Sequence, residues 1–432
     1  MQNVIGIQIR ELMREEFGEF GENILNKQCL DMGIIASDIR VEDVDELSDR
    51  IFHAVRNMAG IDKSQRIRSY IKKYKLLGEL KELENHKPDD IKSSKECRIL
   101  MELGFISTNN LGDAESAIEY YSKASKIAKS LGHKDQIIRC KKGISFVHLE
   151  RCDLKEAEIV AKKVLDMYNE EKLDDNLVEC KRCIALCRWR KGEYEEALDI
   201  LSEVKDLYEE LEDKSGLALS YKNLGDIYGE KEDFEESLKN YEKSAELFGA
   251  EKNHLERTTL FMNMGVIYSI KKDWANAATY YLKSESISRK KRFPNRLAWI
   301  LFNLGEAYTY LHEFDKAEDA FKESMDIFYN QNDTMGQSGA NIKYGQMFVE
   351  KKEYEKAEPL LKRGIEILRG FDVPRYLADA VHELGKAQGN MGRTEDARKN
   401  FEEALEIYRS IDNESRVKMV EDDLEKLTKS LK

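Results

Sequence analysis

Apolar residues in this chain fall into short stripes separated by polar turns, and the stripes return at a fixed step. Leu224, Ile227 and Tyr228 stand at i, i+3 and i+4, one face of an α-helix. A polar turn follows, such as Lys191-Gly192-Glu193 or Lys231-Glu232-Asp233, and an aromatic opens the next stripe: Tyr194, Phe234, Trp274, Phe314 or Tyr354. On that second helix Ser237, Tyr241 and Leu247-Phe248 share the inner face. Residues 221–228 recur as 261–268 and 301–308, and their glycine continues as Gly345 and Gly385, a step of 40 over five copies. A second marker keeps the step through eight copies: Ala117, Ala157, Ala197, Ser237, Ala277, Ala317, Ala357 and Ala397. A period of this length predicts a stacked array of helix pairs. Small residues at Gly225 and Ser237 suit two helices that cross closely. Copies two and three carry Ser145 and Ala185 in the glycine place. In the first copy Gly104 stands one residue early and leaves Phe105 there.

Leu-Gly-x-x-Tyr, then Ala, then in several copies an aromatic four residues on, resembles the tetratricopeptide repeat (TPR). The usual period is about 34 residues, and the longer step here is similar to the extended-helix subgroup of kinesin light chains, Pins-type adaptors and bacterial Rap regulators. The resemblance runs from near Asp90 to near Asn413. It implies an all-α fold, an α-solenoid of eight repeats over residues 90–412 wound as a right-handed superhelix, with no strand.

Residues 1–87 lie outside the repeat and read as an N-terminal helical module. Ile5, Ile9, Met13 and Phe17 predict a helix running towards Leu30, broken by Gly33 and Ser37-Asp38. Val44, Leu47, Ile51 and Val55 predict a second that ends by Gly60, and Asp62 caps a third through Ile67, Ile71, Leu76 and Leu80. Lys63, Arg66, Arg68, Lys72, Lys73 and Lys75, interleaved with Tyr70 and Tyr74, read as a solvated face rather than an acidic-partner patch. His86-Lys87-Pro88-Asp89-Asp90 is the expected junction. Gly132, Gly249, Pro294 and Pro374 fall where the period places connections, and Pro359 is expected in the first turn of its helix. Residues 413–432, with Val417, Val420, Leu424, Leu427 and Leu431 on one side, predict a capping helix.

Composition narrows the function. Charged residues make up 35% of the chain and the net charge is −13, which disfavours nucleic acid and anionic membrane surfaces as partners. No apolar run is long enough to span a bilayer, and residues 1–16 lack the order of a signal peptide, so a cytoplasmic location is expected. Seven cysteines among predicted helices fit a reducing compartment. Cys180, Cys183 and Cys187 share a helix face, but three thiols cannot close a tetrahedron without a fourth ligand, and packing is the expected role. The seven histidines are dispersed, and no phosphate-binding glycine motif occurs. No catalysis, metal or cofactor is expected.

Asn223, Asn263 and Asn303 stand apart. Asparagine is a poor helix-interior residue, yet it recurs in three adjacent copies, one residue before the Leu or Met that enters the core. Asn263 shares its face with Thr259, Val266 and Ile270. The TPR resemblance implies that this face lines a concave groove and that the asparagines contact the backbone of a bound peptide; stitching of neighbouring repeats is the alternative. Cys183, Lys343 and Glu383 interrupt the ladder in copies three, seven and eight. Asp226, Glu230, Glu306 and Tyr310 extend the face, with an apolar patch at Val266 and Ile270 and a broad ring at Trp299. The expectation is a protein-interaction scaffold whose groove takes an extended peptide or partner tail with basic and aliphatic residues. A Rap-like regulator acting through residues 1–87 and a self-assembling homo-oligomer are the other two readings.

Overall fold

The computed structural model describes residues 4–36, 38–84, 89–167 and 174–429, which form helices and turns with no strand among them. The chain divides into two compact units, 1–252 and 253–432. The first holds α1 (Val4–Asp31), α2 (Val44–Glu84) and four helix pairs. These are α3 (Asp90–Ile106) with α4 (Ala114–Ser130), α5 (Lys134–Glu150) with α6 (Leu154–Leu165), α7 (Asp175–Arg190) with α8 (Tyr194–Glu210), and α9 (Lys214–Glu230) with α10 (Phe234–Ala250). In the second unit α11 (His254–Ile270) pairs with α12 (Trp274–Lys291) and α13 (Pro294–Tyr310) with α14 (Phe314–Asn330). There α15 (Thr334–Glu350) pairs with α16 (Tyr354–Leu368) and α17 (Pro374–Asn390) with α18 (Thr394–Ser410), and α19 (Glu414–Lys429) ends the chain. The fold is the expected all-α solenoid of helix pairs.

In copies four, five, six and eight the pair closes on a ring set against a glycine, and in copy seven Gly345 meets the Leu361 side chain instead. A methyl group at Gly225 would lie 2.6 Å from the Tyr241 ring, at Gly265 2.4 Å from Tyr281, at Gly305 2.7 Å from Phe321, and at Gly385 2.6 Å from Phe401. Any side chain there would have to move the ring or the helix carrying it. The alanines of the second marker are fully buried beside these crossings. Ser237, the exception among them, donates its hydroxyl to the Gly225 carbonyl at 2.6 Å.

A second tie joins the helices of a pair. Ser244 donates to the Ala218 carbonyl, Ser284 to that of Thr258 and Ser324 to that of Ala298, at 2.7–2.8 Å. In copy seven the arrangement is exchanged: glycine stands at 364, and Ser338 on the first helix donates back to its carbonyl at 2.9 Å. Copy one repeats the exchange with sulfur, Cys97 Sγ lying 3.4 Å from the Ala124 carbonyl.

Cys97, like the glycine of this copy, stands one residue early. Gly104, not Phe105, receives the ring, with a methyl group there 2.9 Å from Tyr121, while Phe105 is exposed. The additional residue is absorbed by a π-helical turn at Ser107–Leu111, which the left-handed Gly112 ends. A π turn takes one more residue than an α turn, so the register recovers by Ala117.

The turns carry a regularity that the apolar pattern does not. At the end of α9 the Asp233 N–H bonds to the Tyr228 carbonyl at 2.9 Å and the Glu232 N–H to that of Gly229 at 3.1 Å. These two bonds close a helix around a left-handed residue, and Glu232 has φ 62°. The Asp233 carboxylate then accepts from the Glu236 N–H and caps α10. A left-handed residue recurs every 20 positions, from Glu212 and Glu232 to Lys272, Arg292, His312, Asn332 and Lys352. Helices of 17 residues, as in α8 to α11, and turns of three thus divide a regular 40-residue repeat into equal halves. Gly249 lies inside α10, so Lys252 rather than the glycine makes that turn. Pro294 and Pro374 open α13 and α17, where a missing N–H costs little. Pro359 lies in the second turn of α16, not the first.

Residues 1–84 depart from the three expected helices. The first stretch is kinked at Gly18, with φ 61° and ψ −146°, a conformation essentially confined to glycine. The chain doubles back so tightly that a methyl group at Gly21 would lie 1.9 Å from the Met13 carbonyl oxygen. Ile9 and Met13 thereby meet Ile24, Leu25 and Cys29 in one core. Conversely, Gly60 and Asp62 break nothing, and α2 runs unbroken for 41 residues. A lone helical glycine costs about 1 kcal/mol against alanine, less than the burial of Val44, Leu47, Ile51, Val55, Ile67 and Ile71 in that same core. The basic stretch on α2 is taken up by ion pairs: Lys63 with Glu16, Arg68 with Asp49, Lys72 with Glu102, Lys73 with Asp113 and Lys75 with Asp45. Ser37, most of the junction at 85–88, and Leu431 lie outside the described residues. In the second unit α19 buries Val420 and rests Val417, Leu424 and Leu427 on the core of α15–α18.

Two substitutions test this account. Gly305→Leu should lose about 1–3 kcal/mol of stability by overpacking against Phe321, read as a lower denaturant midpoint; a midpoint equal to wild type contradicts the close crossing. Lys272→Gly, at φ 58°, should gain about 0.5–1 kcal/mol, because relief of left-handed strain exceeds glycine's entropic cost. Thermal unfolding measures the gain, and a lowered melting temperature contradicts it.

Candidate functional site

The first helix of each pair turns one face to the core and leaves a second face to vary. In the first unit that face carries Asn223, Asp226 and Glu230 on α9. Asn223 is buried, and its Nδ2 has no partner among the described residues. The Asp226 carboxylate accepts the Tyr241 hydroxyl at 2.6 Å, and Glu230 accepts the Trp189 indole N–H at 2.8 Å from the preceding repeat.

In the second unit α11 carries Thr259, Asn263, Val266 and Ile270, and α13 carries Trp299, Asn303, Glu306 and Tyr310. Asn263 and Asn303 are half-buried. Two bonds with the same 37-residue spacing stitch neighbouring repeats: Arg296 Nε donates to the Thr259 hydroxyl at 3.3 Å, and the Lys343 ammonium donates to Glu306. Lys343 stands in the asparagine place of copy seven. Burial would lower its pKa, but the Glu306 carboxylate outweighs that and holds it above its ordinary value.

Large apolar groups remain exposed on this face. Val266 is 39% exposed, Ile270 59%, Trp299 38%, Tyr310 48% and Tyr376 66%. Tyr310 is held flat by stacking on Trp274, ring centroids 4.2 Å apart, and Trp299 meets the Phe328 ring edge-on at 4.9 Å. Trp299 and Tyr310 line a cleft of about 630 Å³, whose walls also include Met335, Ile342, Val373 and Tyr376. Its charged lining is Glu306, Lys343, Glu350, Asp379, Glu383 and Arg416, with Thr309, Gln346 and His382 beside them. The cleft thus gathers Trp299, Glu306 and Tyr310 from the expected site, while Val266 and Ile270 lie outside its lining.

Tyr376, Asp379, His382 and Arg416 were not expected here. The first three stand on the face of α17, and Tyr376 lies seven residues before Glu383 at the ladder place. Extending the face analysis backwards from the asparagine position, as for Trp299, would have reached it. Arg416 comes from α19, outside the period, and stands 3.6 Å from Asp379. His382 is almost fully buried, with Nε2 3.0 Å from Asp423 Oδ2 on α19. Burial lowers its pKa and prevails over the raising influence of Glu383 and Asp423, with Lys386 lowering it further.

Cys180, Cys183 and Cys187 are buried in one apolar cluster with Ala157, Ala161 and Val164. Among the described residues no group of His, Cys, Asp or Glu is placed to hold a metal ion, and no helix is long and apolar enough to cross a membrane.

A family model described as the tetratricopeptide repeat matches residues 96–170, 178–250, 256–330 and 338–410. No curated protein sequence matches the chain. Among solved structures it is similar to the apo form of RapI, at 13% identity, covering 78% of this chain and 98% of that one with TM-score 0.61. It is also similar to a signal-transduction ATPase with numerous domains and a tetratricopeptide repeat sensor from Pyrococcus horikoshii, at 16% identity, covering 98% and 74% with TM-score 0.62. The apo quorum sensor NprR from B. thuringiensis matches at 15% identity over 81% of this chain and 99% of its own, with TM-score 0.52. At such identities the likeness is one of fold.

His382 gives the cleft wall an expected pH dependence. Its folded pKa lies below the ordinary 6.5, so between the two values the unfolded chain binds more protons. Stability should therefore fall as pH drops below about 6.5 and level off once the folded pKa is passed. His382→Gln keeps a donor towards Asp423 and should lose this part of the pH dependence. Denaturant midpoints of both proteins between pH 7.5 and 5 check it, and parallel curves contradict it.

Proposed function

The chain belongs to the tetratricopeptide repeat family, and from that premise we propose that it is a non-catalytic adaptor whose first-helix face binds an extended peptide or partner tail. The family is one of protein-interaction scaffolds. The observation that carries the reading is the concentration of exposed large apolar groups on this face, at Val266, Ile270, Trp299, Tyr310 and Tyr376. Leaving such groups in water forfeits about 25 cal/mol per Å² that a partner recovers on covering them.

On this reading the asparagine ladder grips the backbone of the peptide. A carboxamide offers both donors and an acceptor, so it pairs with peptide groups whatever their side chains. The unpartnered Nδ2 of Asn223 supports this: a buried donor left unmet costs about 1–3 kcal/mol, and rotation of the side chain hands it to a bound carbonyl. The side chains of the ligand are read by the groups between. In the first unit a lysine or arginine lies near Asp226, and in the second an aliphatic side chain covers Val266 and Ile270. Glu306 contributes less to charge selection, because Lys343 already neutralises it. Residues 1–87 are a separate module on this reading, 90–412 the binding array and 413–432 its cap.

Peptides selected from a random library against the full chain provide the test. The triple variant Asn223→Ala, Asn263→Ala, Asn303→Ala should bind them at least about tenfold more weakly, since each lost hydrogen bond is worth about 0.5–1.5 kcal/mol. Its far-ultraviolet spectrum should stay helical. Unchanged affinity in a folded triple variant contradicts the ladder.

A further inference from the structure

The asparagine ladder stops where the cleft begins, and Lys343 and Glu383 stand in its place. Four carboxylates line this cleft: Glu306, Glu350, Asp379 and Glu383. Three are engaged. Glu306 pairs with Lys343, Asp379 accepts the Tyr408 hydroxyl and faces Arg416, and Glu383 accepts Lys386 Nζ at 2.9 and 3.0 Å. Glu350 has no ion pair or hydrogen bond among the described residues.

The repeat makes this vacancy informative. Glu150 and Glu230 occupy the same place in copies two and four; Glu230 is hydrogen-bonded from the preceding repeat, and Glu150 feels the positive charge of Arg190 in the next. Trp189 donates its indole N–H to Glu230. Burial raises the pKa of Glu150, and Arg190, which also donates to the Leu149 carbonyl, opposes the rise. For Glu350 the corresponding neighbours are Tyr310 and Asn390, and neither carries charge. Glu350 is also the last residue of α15, where the helix dipole disfavours a carboxylate. A cation arriving from outside would satisfy both.

The surroundings favour one kind of cation. Tyr310 is held flat on Trp274 and stays half exposed, and burial together with the carboxylates of Glu306, Glu350 and Glu383 raises its phenol pKa against the opposing pull of Lys343. Tyr376 presents a second exposed ring to the cleft. Flat rings beside a carboxylate match a guanidinium, which stacks on aromatic faces and donates in a planar fork, better than the compact, strongly hydrated ammonium of lysine. Resting on the peptide-binding reading above, we propose that this cleft is a selective pocket for one arginine side chain of the partner segment, its guanidinium lying on Tyr310 and Tyr376 and paired with Glu350.

The test uses the full chain and two fluorescein-labelled nine-residue peptides of alternating leucine and serine. They differ only at the centre, which is arginine in one and the neutral isostere citrulline in the other. Fluorescence polarisation should show the arginine peptide binding at least about tenfold more tightly, as a charge-assisted bond of about 1.5–3 kcal/mol implies. Glu350→Gln should abolish that difference by weakening the arginine peptide alone, and Tyr376→Ala should reduce it. Equal affinity of the two peptides, a difference that survives in Glu350→Gln, or no binding of either peptide overturns the pocket. Agmatine binding as tightly as the arginine peptide also overturns it, in favour of a small-amine site. Library-selected peptides that need the asparagines but show no arginine dependence would remove the pocket and leave the adaptor reading standing.

Discussion

The contact between a large side chain and a bare backbone is what the glycine-bearing repeats depend on. Because Tyr241, Tyr281, Phe321 and Phe401 occupy the space that a Cβ would take at Gly225, Gly265, Gly305 and Gly385, the separation of the two helices is set by the thickness of a ring. The crossing has no slack to absorb a larger residue, since interiors pack at crystal-like density. Other positions can then be exchanged in pairs without moving the helices. The serine tie shows this: the donor stands on the second helix in copies four to six and on the first in copies one and seven. What is preserved is a buried donor meeting a buried carbonyl, because an unmet one costs about 1–3 kcal/mol.

Much of this was legible in the sequence. The period of 40, the pairing of helices and the close crossing all follow from spacing and residue size. The turn was less legible than the helices. Its left-handed residue is Glu, Lys, Arg, His, Asn, Asp or Cys at ten positions outside the glycines, so composition hides what backbone geometry repeats. The two-bond closure at each helix end enforces the conformation whichever side chain is present. In residues 1–84 the failure has the opposite cause. Gly18 kinks the chain and Gly60 does not, and nothing local distinguishes them. The difference lies in the long-range contacts that reward a bend at one place and continuity at the other.

The candidate face was legible in position but not in charge. Counting from the asparagines located Trp299, Glu306 and Tyr310, which do line one cleft. Acids on that face read from the sequence as free to attract a basic ligand, yet Glu230 is taken by Trp189 and Glu306 by Lys343. Such pairings join residues 37 to 41 apart, a separation at which only the three-dimensional stacking of first helices brings side chains together.

The chemistry available to a partner is therefore what remains after the repeats have satisfied one another. In an array whose neighbours share one geometry, polar groups such as Glu230, Thr259 and Glu306 find a counterpart in the adjacent repeat and are less available to a partner. Specificity arises where the period is broken. Lysine replaces asparagine at 343 and disposes of Glu306. Tyrosine at 310 and asparagine at 390 leave Glu350 unmet, and α19 brings Arg416 from outside the repeat. Regular positions fix the fold, and on the proposed reading it is the departures among the last three copies that select the ligand side chain.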